Sequence, residues 1–291
     1  MIPEWLRMPT LEQWEQKKQE PDFLDSRNVG LIDAVNAGWY QNDADELFRG
    51  FPVAADDVVV DVGCGAGGAT LFCARRGAHV IYCDVNERNI EQLSTLVRET
   101  PARASQGIVT DCSPLPLESN VASRVVSMEM LEHVDDPAAV LGELARIGRP
   151  GALYLISVPD AVTERMQIPF APPEYFQRPN HIHIFERDEL ARLISEAGLE
   201  VVERSSYGFF WNLWLCMYWI CKKAVAGTPE QVSHDAAQPP YFPLLDAWTS
   251  VWGRLISLPD AAPLCKALDE ALPRSQIVIA RKPMAWSQGE R

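Results

Sequence analysis

A run of β-branched residues opening into glycines constrains this chain more than any other feature: Val58-Val59-Val60-Asp61-Val62-Gly63-Cys64-Gly65-Ala66-Gly67-Gly68. Consecutive valines suit a strand buried on both faces of a parallel sheet. The glycines permit a tight turn and close backbone approach to a ligand, and a helical pattern follows. Beyond this unit the chain keeps alternating. The spacing predicts helix over 70–76, strand over 79–83, helix over 87–99 stopped by Pro101, strand over 125–128 and helix over 137–147. It then predicts strand over 153–158, helix over 187–197 closed by Gly198, strand over 199–204 and a last strand over 276–280. Such alternation means an α/β fold, a mostly parallel sheet with helices on both faces.

The flanks read differently. Leu11, Trp14 and Lys18 follow helical spacing, as do Val29, Ile32, Asp33 and Asn36, with Pro21 between the two segments. No strand pattern precedes Phe51-Pro52. Between the last two strands the stretch is too long for a plain loop and needs helices of its own. The expected organisation is therefore an N-terminal helical cap at 1–50, a core at 51–207, a helical insertion at 208–274, and the last core strand and tail at 275–291.

Charge narrows the partners. With 26 Lys+Arg against 40 Asp+Glu, the formal charge of −14 opposes both nucleic acid and anionic membranes. The opening residues show no signal peptide, and the 7 cysteines include no CxxC, so reduced thiols in a cytoplasm are expected and a structural zinc site is not.

Gly63, Gly65 and Gly68 also spell GxGxxG, a dinucleotide fingerprint that is weak on its own. Asp61 separates the readings. A carboxylate at the strand's end repels a pyrophosphate and suits a ligand bearing an ammonium or sulfonium group. Asp84 ends the next strand, where an acid accepts hydrogen bonds from ribose hydroxyls. Together they indicate a nucleoside with a cationic tail. A nucleotide-dependent oxidoreductase, a structural glycine turn with solvated acids, and a non-catalytic scaffold that keeps the fold remain open.

From about residue 55 to 205 the chain resembles class I S-adenosylmethionine-dependent methyltransferases of the ubiquinone-biosynthesis-like (methyltransferase type 11) branch. Asp61–Gly67 looks like the family's first motif. Thr110-Asp111-Cys112 with Leu115-Pro116-Leu117 is similar to "GDA…LPF", and Ser127–Val134 to the "…LEHV" signature. The resemblance implies a Rossmann-like sheet of seven strands, the last one antiparallel between its two predecessors, and S-adenosylmethionine as cofactor. It implies that Asp84 holds the ribose, Asp111 and the Cys112 N–H the adenine, and Ser127 and Met128 the methionine portion. The chain departs from the pattern at Ser123-Arg124, where "FD" is usual, and at Thr110, where glycine is common.

Methyl transfer demands alignment first and sometimes a base. His133, after the fourth core strand, and His181 and His183, in Asn180–Phe185, are the candidate bases; a packed, structural role is the alternative for each. Glu129 is a candidate partner for the acceptor or the methionine ammonium. No metal is expected. In the fold that the resemblance implies, 208–274 emerges at the cofactor's methyl edge, over the acceptor site, and 159–180, with Tyr175 and Phe176, forms another wall. The apolar run 209–221 is too short to cross a bilayer before Lys222-Lys223. It reads as a helix buried among others, as a lining for an apolar or aromatic acceptor, or as an interfacial helix. The acceptor is expected to be a small apolar or aromatic molecule methylated on oxygen, with protein methylation left open and nucleic-acid methylation disfavoured by the charge.

Overall fold

The computed structural model describes residues 3, 6–20, 22–226 and 238–284. Along the chain the elements run α1 (Leu11–Lys17), α2 (Ser26–Ala37), β1 (Trp39–Gln41), β2 (Glu46–Phe48), β3 (Phe51–Pro52), β4 (Val58–Val62), α3 (Gly68–Ala74) and β5 (His79–Asp84). There follow α4 (Glu87–Arg98), β6 (Ala104–Val109), β7 (Ala122–Met128), α5 (Pro137–Ile147), β8 (Gly148–Pro159), α6 (Ala161–Gln167) and α7 (Arg187–Glu196). The last elements are β9 (Glu200–Tyr207), α8 (Phe209–Ala226), α9 (Pro243–Ile256), α10 (Ala262–Ala271) and β10 (Ser275–Arg281). They form two compact units: Gly38–Pro159 with Ile182–Ser205 and Gln276–Arg291, and Met1–Ala37 with Asp160–His181 and Ser206–Ser275.

The first unit is built on a seven-stranded sheet in the order β6-β5-β4-β7-β8-β10-β9. The β4·β5, β4·β7, β5·β6 and β7·β8 ladders are parallel. Gly151, early in β8, donates to Lys282 just past β10, whereas Asp160, just past β8, donates to Arg274 just before β10. That pairing makes the last strand antiparallel, inserted between its two predecessors. The valines of β4 do what a two-sided strand requires: Val59, Val60 and Val62 are buried, and Val60 and Val62 join Ile81, Val125, Leu141, Ile156 and Val278 in one core. The chain leaves β4 for β5 on one side and later returns to β7 on the other. That reversal opens the crevice beyond the strands' carboxyl ends where ligands bind in open α/β sheets.

Two elements of this unit have no signature in the sequence pattern. Residues 39–52 are not part of a helical cap; β1, β2 and β3 form a small antiparallel sheet in the same unit as the core, with Trp39 opposite Phe48. Its strands are too short for alternation to show, and its turns use left-handed backbone at Gly38, Asp45 and Gly50. Arg76 ties it down, its Nε 2.9 Å from Asp45 and its guanidinium 3.4 Å over the Phe72 ring. Strand β6 is the other. It lies at the sheet's edge and is mostly exposed, so its composition carries no buried-strand signal.

The second unit departs from the expected boundaries too. The segment expected as a wall at 159–180 contains α6, whose start is capped by Asp160 accepting from the Val162 N–H at 3.0 Å. It groups with the N-terminal helices and α8–α10. Here Trp14, Phe210, Trp214, Trp219, Tyr241 and Trp252 share one aromatic core. The apolar run 209–221 is the body of α8, and of the side chains in that run only Ile220 is exposed, so it is a helix buried among others. Among the described residues no helix is long and apolar enough to cross a membrane. Buried polar groups pin the helices: Ser26 Oγ lies 2.7 Å from Thr249 Oγ1 and takes the Trp214 indole N–H at 3.1 Å. The Trp252 indole donates to Asp33 Oδ1 at 2.8 Å.

Two tests follow from this packing. Lys282 is fully buried, its ammonium donating to Gly148 O at 2.6 Å and to Ala145 O and Asn120 Oδ1 at 2.9 Å each. Lys282→Met strands those oxygens and should lower the unfolding free energy in urea by about 2–4 kcal/mol; a loss too small to measure would refute the role. Asp33 sits in the aromatic core, and burial pushes its carboxyl up to about 7. Because the folded value exceeds the unfolded one, its contribution is complete below about pH 4 and lost by about pH 7, up to about 4 kcal/mol. Relative to wild type, Asp33→Asn should therefore gain thermal stability as the pH rises from 5 to 8. A constant difference across that range would show that Asp33 does not titrate while buried.

Candidate functional site

The candidate site lies at the carboxyl ends of β4, β5 and β7. Parallel register sets Asp61 beside Tyr82 on one side and Val126 on the other, and Val62 beside Cys83. The glycine loop then turns back on β5: the Gly63 and Cys64 N–H groups both donate to Cys83 O at 2.9 Å, and the Gly65 N–H to Asp84 Oδ2 at 2.8 Å. Gly63 takes φ 77°, and a Cβ there would lie 2.5 Å from Met130 Cγ, so neither the conformation nor the space admits a side chain. At Gly65, φ 49°, an added Cβ would meet nothing within 4 Å, which leaves open space above the loop.

The two acids are held differently. Asp84 Oδ1 accepts from the Asn86 N–H at 2.8 Å and the Asn89 amide at 3.3 Å, so backbone and helix-cap donors orient both its oxygens. Asp61 is buried and its Oδ2 accepts the Thr70 hydroxyl at 2.6 Å. Burial pushes Asp61 up to about 6, Thr70 pulls it back, and Asp84 adds repulsion. A buried carboxylate facing a second acid is a place for a cation.

The remaining motif residues lie on the loop after β6 and at the end of β7, in the same unit. Asp111 is exposed and one of its oxygens caps the Ser113 N–H at 3.2 Å. Cys112 is buried at φ 66°, and its N–H, which the family resemblance assigns to the adenine, donates to Thr110 Oγ1 at 3.1 Å. Threonine in place of glycine is the cause. Burial, with Asp111 and Asp84, pushes the Cys112 thiol up to about 11, so it is no nucleophile. Ser127 is fully buried at the end of β7, and its hydroxyl has no hydrogen-bond partner among the described residues. Met128, half-buried, pairs in register with Ser157. Glu129 follows at φ 50° and accepts from Ser157 Oγ at 3.0 Å.

The histidines have different polar partners. His133 closes the short 3-10 turn Leu131–His133, a third exposed, with Nε2 3.7 Å from Glu132 Oε1. His183 is bound through Nε2 to Val134 O at 2.8 Å, and the Ile182 and His183 N–H groups reach Glu132 O at 2.8 and 3.3 Å. His181 belongs to the other unit, with Nδ1 2.9 Å from Glu164 Oε2 and its ring 4.4 Å from Tyr175. Tyr175 and Phe176 sit with the aromatic core of that unit. Sequence reasoning passes over Thr70, Glu132 and Glu164. A fully buried glutamate looks like a surface acid in sequence, and only the Thr70 position, one helical turn into α3, hints at a partner for Asp61.

Comparisons with known proteins bear on the family and the fold. A family model described as a methyltransferase domain matches residues 40–204. A ubiquinone biosynthesis O-methyltransferase of Rhizobium etli is 28% identical over 188 residues, 61% of this chain and 75% of that protein. A SAM-dependent methyltransferase structure from Methanosarcina mazei is similar with a TM-score of 0.50 and 16% identity, covering 80% of this chain and 95% of that one. The cyclase SpnF is similar with a TM-score of 0.52 and 16% identity, covering 92% of this chain and 86% of that one. At 16% identity these two structures are likenesses of fold.

The state of Asp61 is testable without any ligand. Its folded value lies above its unfolded one, so its stabilising contribution is complete below about pH 4 and lost by about pH 6. Asp61→Asn, which keeps an acceptor for Thr70, should stabilise the protein at pH 7 by up to about 3 kcal/mol and leave it unchanged near pH 4. A destabilised variant at pH 7 would show that the carboxylate is not buried as a liability.

Proposed function

This chain belongs to the methyltransferase-domain family and is an S-adenosylmethionine-dependent methyltransferase, and from that premise we propose that it methylates an oxygen of a small apolar or aromatic acceptor. Asp61, Gly63, Gly65, Asp84, Asp111, Cys112, Ser127 and Met128 are the residues assigned to the cofactor. The observation that carries this assignment is the buried Asp61, raised to about 6 beside Asp84 at an open glycine loop. A cationic ligand relieves that repulsion, whereas the pyrophosphate of a dinucleotide would worsen it. The unpartnered Ser127 hydroxyl and the space over Gly65 fit a ligand with polar groups at the β7 and β4 ends.

When bound, the cofactor supplies a methyl group already activated on a sulfonium. The chain's own residues then have to hold the reactants in line and accept a proton. His133 is the base this reading favours, since it is partly exposed at the end of the β7 turn. His183 is tied to Val134 and orients that turn, and His181 is engaged by Glu164. An oxygen acceptor is supported by the curated relatives, which are named ubiquinone biosynthesis O-methyltransferases, and by a base of histidine's strength, suited to a phenol. The net charge of −14 disfavours polyanionic acceptors.

Purified protein incubated with methyl-labelled cofactor and a panel of phenols, quinols and lipophilic amines tests the reading. Label is expected in an ether on oxygen, with His133→Ala lowering kcat by about 10²–10⁴-fold while the calorimetric affinity for the cofactor holds. Calorimetry should also show no binding of NADH. Label on nitrogen alone, or a His133→Ala variant with undiminished kcat, would overturn the acceptor and base assignments.

A further inference from the structure

The small sheet β1-β2-β3 places an aromatic side chain on the glycine loop. Tyr40, in β1, adopts φ 51°, a left-handed backbone that an aromatic residue takes only at a cost and that tends to persist at functional positions. Its ring is wedged 5.8 Å from the Phe72 ring and 6.1 Å from that of Trp39, so its direction is set by packing. Its hydroxyl lies over Gly68: a Cβ added to that glycine would stand 2.9 Å from it. A side chain at this position would have to displace the Tyr40 hydroxyl. The hydroxyl makes no hydrogen bond within the described residues. It nevertheless lies close enough to Asp61 for that carboxylate's charge to act on it, with the Cys73 thiol as a further neighbour. Burial first, and those neighbours next, push the phenol up from its ordinary value, so at neutral pH it is a neutral donor.

A donor at Gly68 and a buried carboxylate held by Thr70 on the same strand–loop–helix unit match an α-amino acid end, which carries an anion and a cation on one carbon. We propose that Tyr40 recognises the carboxylate of the cofactor's methionine end by donating its hydroxyl, while Asp61 takes the ammonium. The inference rests on the cofactor reading above and deepens it. On this reading the β1-β2-β3 sheet carries one donor to the loop from outside the seven-stranded sheet. The roles of the loop glycines separate as well, with Gly65 leaving room for ligand and Gly68 leaving room for Tyr40.

Three ligands separate this inference from its premise: S-adenosylmethionine, its demethylated product, and 5′-methylthioadenosine, which keeps the nucleoside and lacks the amino acid end. Calorimetry on Tyr40→Phe, which retains the packed ring, should show the first two weakened about tenfold or more and the third within twofold of wild type. Asp84→Asn should weaken all three. Gly68→Ala should reproduce the Tyr40→Phe pattern by displacing the hydroxyl, and add little in the Tyr40→Phe background. Unchanged affinities in Tyr40→Phe, or equal losses for all three ligands, would overturn the assignment of Tyr40 while leaving the cofactor reading intact. Failure of wild type to bind any of the three would sink the cofactor reading, and this inference with it.

Discussion

The glycine loop is not a free hinge, because it is sewn to the strand beside it. Two successive N–H groups share Cys83 O and a third takes the Asp84 carboxylate. Everything at the candidate site depends on that seam. It requires β4 and β5 to pair in the register that sets Val62 beside Cys83, and that register in turn requires both strands to be buried on both faces. Once the seam is made, Asp84 has its oxygens oriented and Asp61 is left at the bottom of an open turn.

The electrostatic consequence is a site that works against its own apo stability. Asp61 loses most of its hydration, keeps the hydroxyl and backbone N–H of Thr70 as donors, and feels the repulsion of a second acid. A protein retains such a residue where a ligand's charge returns the energy on binding. The same pattern shows in the backbone. Tyr40, Cys112 and Glu129 are non-glycine residues in left-handed conformation, and they stand at β1, after β6 and after β7.

The helical unit solves a different problem. Its aromatic residues are numerous enough to form a core of their own, and edge-on pairs such as Trp14 with Tyr241 and Trp214 with Tyr241 fill it. Large rings carry indole N–H groups into this core: Ser26 and Asp33 of α2 accept those of Trp214 and Trp252, and Thr249 of α9 bonds Ser26 in turn. The apolar run in α8 is thereby explained by packing within this unit.

What the sequence determined by itself was local. Helix α5 runs from Pro137 to Ile147 as predicted, because Asp136 caps the Ala139 N–H and proline begins its first turn. The α/β alternation, the glycine turn and the places of Asp61 and Asp84 were legible for the same reason: strand ends and turns carry their chemistry within a few residues. The tertiary structure decided whatever depends on a distant neighbour. Strand β6 exists because β5 offers it an edge, the sheet β1-β2-β3 because Arg76 and the core hold it, and α6 joins the helical unit although it follows β8 directly. Glu132 and Lys282 look like surface charges in a string of letters, yet both are fully buried. Burial and strand pairing are stabilised by contacts far along the chain, and no window of sequence contains them.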